Sequence, residues 1–268
     1  MRPFQSLLFV PGSRPERFDK ALASGADVVA IDLEDAVGPA DKRAARDAAL
    51  AALGTPRLGL RINGLRTKEG IADLHALATA STPPAFVMLP MVEAAVEIEI
   101  VHALLPAVPL VPLVETVRGI RAVDAVAAQP GIGAVMLGGA DFCGEMGVPM
   151  SWDALLAARY AVLQACTAAR VPAVDVPWLG LDDLVGLAAE LARVKAMGFA
   201  AKSIVHPKHV AVVHTALRSS PEQLADAREA ERVYAEAGNA AVRWRGQMLE
   251  APVMARYRRL LALADALA

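Results

Sequence analysis

Eight short apolar segments recur along the chain, separated by roughly 20 to 35 residues, and they constrain the fold more than any other feature. Gly, Pro or Asp bounds most of them, and none alternates strictly between polar and apolar side chains. Strands that are buried on both faces show this pattern, as in a parallel sheet covered by helices. The predicted strands are residues 6–10, 27–33, 57–62, 86–90, 109–114, 133–138, 172–176 and 201–205.

The stretches between these segments are rich in Ala, Leu, Glu and Arg, and their apolar residues recur three and four positions apart. That spacing is typical of amphipathic helices, with N-caps expected at Ser151 and Asp182 and a C-cap at Gly198. Eight strand–helix units predict an α/β protein with a (β/α)8 TIM barrel, and a doubly wound open sheet is the alternative. The predicted helices are residues 15–24, 39–53, 68–80, 92–105, 117–128, 152–169 and 181–197.

The chain continues beyond the eighth predicted strand. Residues 207–217 complete the barrel, which we expect to span residues 1–217, and residues 218–268 form a C-terminal helical extension. Within the extension we predict a helix over 222–236, a loop over 239–246 and a final helix over 247–267 with an apolar stripe. Such a stripe needs a surface that buries it, either the chain's own barrel or a neighbouring subunit. We expect a homo-oligomer with the extension on the neighbour.

The composition limits the classes of partner. The 268 residues carry a formal net charge of -2, which gives no basic excess for binding nucleic acid or an anionic membrane. Two cysteines are too few for a disulfide framework, and the first apolar run is too short for a signal peptide or a membrane span. We therefore expect a cytoplasmic protein that acts on small molecules.

Polar side chains stand near the ends of most predicted strands, where a barrel places its active site. The alternative is that they are ordinary loop residues. Arg61 needs an anionic partner there, which is a substrate carboxylate, a thioester enolate or merely Glu34. Asp32, Glu34 and Asp35 form an acidic cluster at the end of strand two. We expect this cluster behind the site, where it holds Arg61 or metal-bound waters. The strand-end residues are Asp32, Glu34, Asp35, Arg61, Glu115, Asp141, Asp175 and His206.

Glu115 and Asp141 are the best candidates for a metal site. They lie one strand–helix unit apart, so they follow neighbouring strands about 4.8 Å from each other. Two carboxylates that close either repel each other or share a cation, and Mg²⁺ accepts such ligands while it keeps positions for water and substrate. No His/Cys group has zinc spacing. The alternative is that one carboxylate caps a helix.

Lys202, inside strand eight, is expected to pair with a carboxylate, with a weaker case for a Schiff base.

Seven stretches of this chain resemble, in order and over nearly its whole length, the HpcH/HpaI aldolase and citrate lyase beta-subunit family. The likeness is greatest to citrate lyase beta-like proteins and malyl-CoA or citramalyl-CoA lyases. The stretches are LLFVPGSRPERFDKALASGADVVAIDLEDAV at 7–37, LRING at 60–64, FVMLPMVE at 86–93, LVETVRGI at 113–120, LGGADF at 137–142, GFAAKSIVHP at 198–207 and GQMLEAP at 246–252.

The resemblance implies a barrel, a Mg²⁺ ion and a CoA thioester substrate. Carried over by motif, Glu115 and Asp141 are the metal ligands, Arg61 and Glu115 contact the substrate, and Arg17 and Lys20 lie near the CoA phosphates. Members of the family are commonly trimers or larger assemblies in which the C-terminal segment reaches toward a neighbour.

This chain departs from the family pattern at two positions. Met91 stands where the family usually has Lys, and Glu250 stands where it usually has Asp. In the lyases that Asp is the acid/base from the C-terminal segment, so Glu250 keeps the carboxyl but moves it by one methylene. The site is expected to be either retuned to another substrate or weakened.

The expected activity is Mg²⁺-dependent carbon–carbon cleavage of a 3-hydroxyacyl-CoA of the malyl-, citramalyl- or citryl-CoA type, giving acetyl-CoA and a 2-oxo acid. Arg61 would stabilise the enolate oxygen, and Glu250 would protonate the enolate carbon. The sequence is also compatible with a CoA-independent aldolase for hydroxy-oxo acids, an acyl-CoA thioesterase, and a partner-dependent citrate lyase beta-like subunit.

Overall fold

Eight parallel strands close into a barrel in the computed structural model, which describes residues 1–267. Each strand pairs with the next along the chain, and β8 pairs with β1 through Leu7 and Ser203. The predicted (β/α)8 barrel is therefore confirmed, and the open sheet is excluded. The strands are β1 Ser6–Pro11, β2 Val28–Asp32, β3 Leu58–Arg61, β4 Val87–Leu89, β5 Leu110–Val114, β6 Val135–Leu137, β7 Ala173–Asp175 and β8 Ala201–Ile204.

Helices follow the strands, and their starts are specified locally. Thr67, Thr116, Ser151 and Asp183 each accept, through a side-chain oxygen, the backbone N–H three residues ahead. The cap predicted at Asp182 is wrong by one residue, because Asp183 fills that position. The helices are α1 Phe18–Leu22, α2 Lys42–Ala51, α3 Lys68–Thr79, α4 Ala95–Leu104, α5 Val117–Ala127, α6 Gly139–Glu145, α7 Trp152–Ala169, α8 Leu184–Met197 and α9 His209–Leu217, with 3-10 turns at Pro15–Arg17 and Pro39–Asp41.

Apolar side chains fill the barrel interior, so the barrel is a packed core. Gly59 makes room for one of the two phenylalanines of the interior cluster, since a Cβ there would lie 2.6 Å from the ring of Phe86. The interior cluster consists of Phe4, Leu7, Val28, Ala30, Phe86, Met88, Val111, Leu113, Ala134, Met136, Val174 and Ala201.

No helix within residues 1–267 is both long and apolar enough to cross a bilayer.

Four charged residues pair behind strands β7 and β8, on the face opposite to the interior residues Val174 and Ala201. Asp175 accepts hydrogen bonds from Arg159 Nε at 2.8 Å and Lys202 Nζ at 2.8 Å, and Glu190 pairs with both cations. Burial would raise the pKa of Asp175, but the charges of Lys202 and Arg159 hold it below its usual value.

The expected pairing of Lys202 with a carboxylate is thus confirmed, and its side chain is fully buried. The Schiff-base interpretation of Lys202 is wrong, because this ammonium faces the helix layer and two carboxylates hold it there. The placement of Asp175 at the active-site rim is wrong for the same reason. Both residues tie the helix layer to the barrel.

A second compact unit begins at Leu217, after the barrel unit Pro3–Ala216. It comprises α10 Pro221–Glu236, the antiparallel strands β9 Val242–Trp244 and β10 Gln247–Leu249, and α11 Ala251–Leu267. Its small core contains Ala230, Tyr234, Leu249 and Met254. The assignment of the extension to a neighbouring subunit stays a prediction.

The loop expected over residues 239–246 is wrong, because a hairpin forms there. Arg245 and Gly246 occupy its two-residue turn with φ of 46° and 81°. Two positive φ angles are what a type I′ hairpin turn requires, and its right-handed twist matches that of the flanking strands. The hairpin also delays the final helix, which begins at Ala251 rather than at the predicted residue 247.

Candidate active site

A cavity of about 390 Å³ opens at the carboxyl ends of the strands. The structure brings five of the predicted strand-end residues to its wall. Charged and apolar groups share the wall. The lining residues are Phe9, Pro11, Asp32, Asp35, Ala36, Arg61, Leu113, Glu115, Met136, Gly138, Gly139, Ala140, Asp141, Pro177 and Val205.

Glu115 follows β5 directly and is only 2% exposed. Its Oε1 accepts the backbone N–H of Met91 at 2.7 Å. Met91 adopts a left-handed backbone with φ of 55°, which is uncommon for a residue with a side chain and marks a conformation that the surroundings enforce. Burial, and to a lesser extent the charge of Asp141, raise the pKa of Glu115 to about 7.

Asp141 lies in the first turn of α6, a short helix that follows β6. Its side chain is exposed at the cavity, and its negative charge contributes to the raised pKa of Glu115. Gly138 leaves room for the side chain of Glu115, because a Cβ at position 138 would overlap it. A Cβ at Gly139 would lie 2.8 Å from Val176. The two glycines therefore allow α6 to start against the barrel rim.

Arg61, at the end of β3, is held by carboxylates on several sides. Its Nε and Nη2 donate to the two oxygens of Asp32, both at 2.7 Å, in a bidentate pair. Its Nη1 lies 2.9 Å from Glu34 Oε2 and 3.4 Å from Asp35 Oδ2. The guanidinium also stacks over the ring of Phe9 at 5.1 Å. The expected partnership of the acidic cluster with Arg61 is present in the structure.

Asp32 also fixes the loop that follows β2, because its two oxygens accept the backbone N–H groups of Glu34 and Ala36 at 2.9 and 3.1 Å. Burial raises the pKa of Glu34 to about 8 against the opposing charge of Arg61, and the neighbouring carboxylates add to the rise. The raised pKa reflects the cost of burying an ionised Glu34 among other carboxylates next to the cavity.

Three residues support the site in ways that the sequence did not predict. Lys42 donates from Nζ to the carbonyls of Leu33 and Glu34, at 2.8 and 2.7 Å, and to Asn63 Oδ1 at 2.6 Å. It thus joins the loops after β2 and β3. The other two are Met91, which acts through its backbone, and Gly138. A lysine early in an amphipathic helix is usually a surface residue, so the pattern gave no signal for it.

The other candidates of the barrel unit do not line this cavity. Arg17 and Lys20 are exposed at the first helix. Near them is a second cavity of about 500 Å³, lined by Gly12, Ser13, Arg14, Pro15, Asp41, Ala44, Ala45 and Ala48. His206 accepts the backbone N–H of Lys208 at Nδ1, which is a turn contact. Glu250 belongs to the C-terminal unit.

The donor set at Glu115 and Asp141 consists of carboxylate oxygens alone. Within residues 1–267 no group of three or more His, Cys, Asp or Glu side chains is arranged to hold a metal ion. A cation bound here would therefore complete its coordination with water or substrate oxygens. Mg²⁺ binds in this way, commonly through one or two carboxylates, whereas zinc prefers nitrogen and sulfur ligands. The residues present fit a hard divalent ion.

Known proteins resemble this chain over nearly its full length. A (3S)-malyl-CoA thioesterase of Cereibacter sphaeroides is 32% identical over 99% of this chain and 96% of the relative. An L-malyl-CoA/beta-methylmalyl-CoA lyase of the same species is 32% identical over 85% of this chain and 83% of the relative.

A solved structure shares the fold. Protein CitE from Mycobacterium tuberculosis, in complex with magnesium, acetoacetate and coenzyme A, superposes with a TM-score of 0.86 at 33% identity. The match covers 99% of this chain and 100% of CitE.

Two family descriptions match as well. Residues 161–265 match the C-C bond lyases of the TIM-barrel fold. Residues 5–207, which include every residue of the cavity wall, match HpcH/HpaI aldolase/citrate lyase. The chain belongs to the HpcH/HpaI aldolase/citrate lyase family.

Proposed function

We propose that the protein is a Mg²⁺-dependent carbon–carbon lyase that cleaves a 3-hydroxyacyl-CoA thioester to acetyl-CoA and a 2-oxo acid. The observation that carries the proposal is the pair of carboxylates, Glu115 and Asp141, at a cavity whose wall also holds Arg61. Membership of a family of lyases and the lyase relative support the reaction class.

Glu115 and Asp141 would hold the ion. The magnesium, acetoacetate and coenzyme A in the CitE complex support this choice of metal and of substrate class. When bound, Mg²⁺ supplies electrophilic polarisation of the hydroxyl and carboxylate oxygens of the acyl chain. It also favours the ionised form of Glu115, whose burial otherwise raises its pKa.

Arg61 would act on the thioester. Cleavage transfers the hydroxyl proton to a base, breaks the bond between the carbinol carbon and the adjacent CH₂, and places the electron pair of that bond on a thioester enolate. Because Asp32 fixes the guanidinium at two points, Arg61 is oriented before the enolate oxygen develops its charge. Glu250, from the C-terminal segment of a neighbouring chain, would then protonate the enolate carbon to give acetyl-CoA.

The coenzyme would extend across two cavities. Pro11 lines the cavity at Glu115, and the next residue, Gly12, lines the second cavity beside α2. An extended cofactor can therefore leave its acyl end at the carboxylates and place its nucleotide outside the barrel mouth. Arg17 and Lys20, exposed nearby, would face the phosphates.

A thioesterase is the second candidate. The malyl-CoA thioesterase relative aligns with 99% of this chain, more than the 85% of the lyase relative. Hydrolysis uses the same polarised thioester but ends with water on the carbonyl carbon, so free CoA and an intact hydroxy acid leave. A CoA-independent aldolase and a partner-dependent citrate lyase beta-like subunit are also compatible with the carboxylate pair.

The active assembly would be a homo-oligomer, with a trimer as the expected state. The barrel unit carries the metal pair and Arg61, whereas Glu250 belongs to the C-terminal unit. An acid from a neighbouring copy would complete the site on assembly.

The metal pair is tested by binding measurements. Glu115→Ala and Asp141→Ala should abolish Mg²⁺ binding in calorimetric titration. Gly138→Ala should weaken the affinity by about 10- to 100-fold, because its Cβ displaces Glu115. Gly144→Ala is the control, since a Cβ at that position of α6 meets no atom within 4 Å. Unchanged affinity in both carboxylate variants would refute the site.

Mg²⁺ affinity should depend on pH through Glu115. Its pKa of about 7 means that protons compete with the ion below neutrality, so affinity should fall by up to about tenfold per pH unit below pH 7. Above pH 8 it should be constant. Titrations at several pH values measure this. An affinity that is level between pH 5.5 and 8 contradicts the assignment.

Product analysis decides the reaction. Purified protein is incubated with malyl-, citramalyl- and citryl-CoA, with Mg²⁺ or with a chelator. A lyase gives acetyl-CoA and a 2-oxo acid in equal amounts, and the chelator stops it. Free CoA with an intact hydroxy acid identifies the thioesterase instead. Cleavage of a hydroxy-oxo acid alone indicates the CoA-independent aldolase, and turnover only with an added acyl-carrier protein indicates the subunit.

Subunit mixing tests the shared site. Glu250→Ala and Asp141→Ala proteins should each be inactive, and reassembled mixtures should regain part of the turnover, since some sites combine an intact metal pair with an intact Glu250 from another chain. Light scattering should give at least a dimer. A monomer at assay concentration, or mixed oligomers without activity, would confine Glu250 to its own chain.

A further inference from the structure

The residues that line the cavity at Glu115 restrict the substituent that a substrate can have on its carbinol carbon, the carbon that carries the hydroxyl group. We propose that this substituent is hydrogen or a small uncharged group such as methyl, and that an acyl chain with a second free carboxylate is rejected. The inference rests on the proposed lyase function, since it concerns the part of the substrate that becomes the 2-oxo acid.

The wall offers no spare positive charge. Among the lining residues in the described chain, Arg61 is the only cation, against the carboxylates of Asp32, Asp35, Glu115 and Asp141. Every other lining residue is glycine or has an apolar side chain. In any orientation of the acyl chain, a substrate carboxylate that is not bound to the metal therefore meets either an apolar surface or a carboxylate of the protein.

Arg61 is itself already neutralised. Its bidentate pair with Asp32 has two contacts of 2.7 Å, and its Nη1 lies 2.9 Å from Glu34. Its side chain is 12% exposed, so these pairs are shielded from water. A guanidinium has five N–H groups, and these contacts leave one on Nη2, which the proposed mechanism gives to the thioester oxygen. A substrate carboxylate would therefore have to displace that oxygen or one of the buried partners, which is unfavourable.

One carboxylate is accommodated in another way. A carboxylate on the carbinol carbon can bind the cation of Glu115 and Asp141 together with the neighbouring hydroxyl oxygen. A second carboxylate on the same carbon's side arm has no comparable partner, and the surrounding acidic groups repel it. A methyl group instead gains contact with apolar side chains such as Phe9, Leu113 and Val205.

Three thioesters separate these cases, because they differ only in that substituent. It is hydrogen in malyl-CoA, methyl in citramalyl-CoA and carboxymethyl in citryl-CoA. In each, the hydroxyl oxygen loses a proton, the bond to CH₂ breaks, and the CH₂ carbon gains a proton to give acetyl-CoA. The 2-oxo acids released are glyoxylate, pyruvate and oxaloacetate respectively.

The first measurement compares turnover and binding in the wild-type protein. We expect kcat/KM for citryl-CoA to be at least about 100-fold below that for citramalyl-CoA. Calorimetric titration of the Mg²⁺-loaded protein should show pyruvate binding at least about tenfold more tightly than oxaloacetate. The second comparison needs no catalysis.

The second measurement supplies the missing cation. Val205→Arg places a guanidinium on the cavity wall and should reduce or reverse the preference for pyruvate over oxaloacetate. Val185→Arg is the matched control, because Val185 is 83% exposed on α8 and is not part of the wall. It should leave the ratio unchanged.

The outcomes separate this inference from the proposed function. Cleavage of citryl-CoA as efficient as that of citramalyl-CoA, or equal affinity for the two oxo acids, overturns the inference and leaves the lyase standing. Failure of all three thioesters to undergo carbon–carbon cleavage overturns the lyase, whereas the ratio of oxo-acid affinities still reports on the cavity.

Discussion

The proximity of the buried Glu115 to a second carboxylate, Asp141, is the constraint on which the rest of the site depends. Two negative charges at the mouth of an apolar barrel are unfavourable unless a proton or a cation joins them, and the raised pKa of Glu115 expresses that cost. The fold nevertheless enforces the arrangement. Gly138 leaves room for the side chain of Glu115, and Met91 adopts a left-handed conformation and donates its N–H to Glu115. The protein thus holds two carboxylates that need a bound proton or cation between them, which is typical of a functional site.

Arg61 shows how the same mouth keeps its positive charge in place. The sequence left open whether Arg61 serves the substrate or forms a structural ion pair, and the structure shows that the ion pair with Asp32 does not remove Arg61 from the cavity wall. A guanidinium held at two points by Asp32 cannot rotate toward a substrate, so any group that it stabilises must come to it. The bidentate geometry also means that a lysine at this position would lose stability as well as activity, since one ammonium cannot replace the fork.

The fold could be predicted because strands buried on both faces leave a strong apolar signal, and eight of them at a regular interval suffice for a barrel. Short elements could not. The helix that carries Asp141 has seven residues and two glycines besides its flanking Gly138, so propensity argues against it, and the packing of Gly139 on Val176 decides it. A three-residue strand such as β7 does not reveal which face is inward, which is why Asp175 was misplaced. The turn at Arg245 and the backbone contact of Met91 depend on positive φ angles, which cannot be predicted from an arginine or a methionine side chain. The candidate metal pair could be proposed from the sequence because barrel topology alone brings the strand ends together.

Under the proposed function, the choice between cleavage and hydrolysis would not lie in the barrel. Both reactions require a polarised thioester beside Arg61, and the carboxylates of the cavity wall serve both. What differs is the group that meets the activated acyl chain from outside: an acid that protonates the enolate carbon, or water that attacks the carbonyl carbon. In the proposed mechanism, residue 250 is therefore the position where the two reactions would diverge. A glutamate there has one more methylene than aspartate, about 1.5 Å of reach and one additional rotatable bond, so its carboxyl is held less firmly at the carbon that must be protonated. If Glu250 is the acid, as we propose, a less firmly held carboxyl would slow the protonation and leave the hydrolytic route unaffected, so the proposal allows either activity on one barrel.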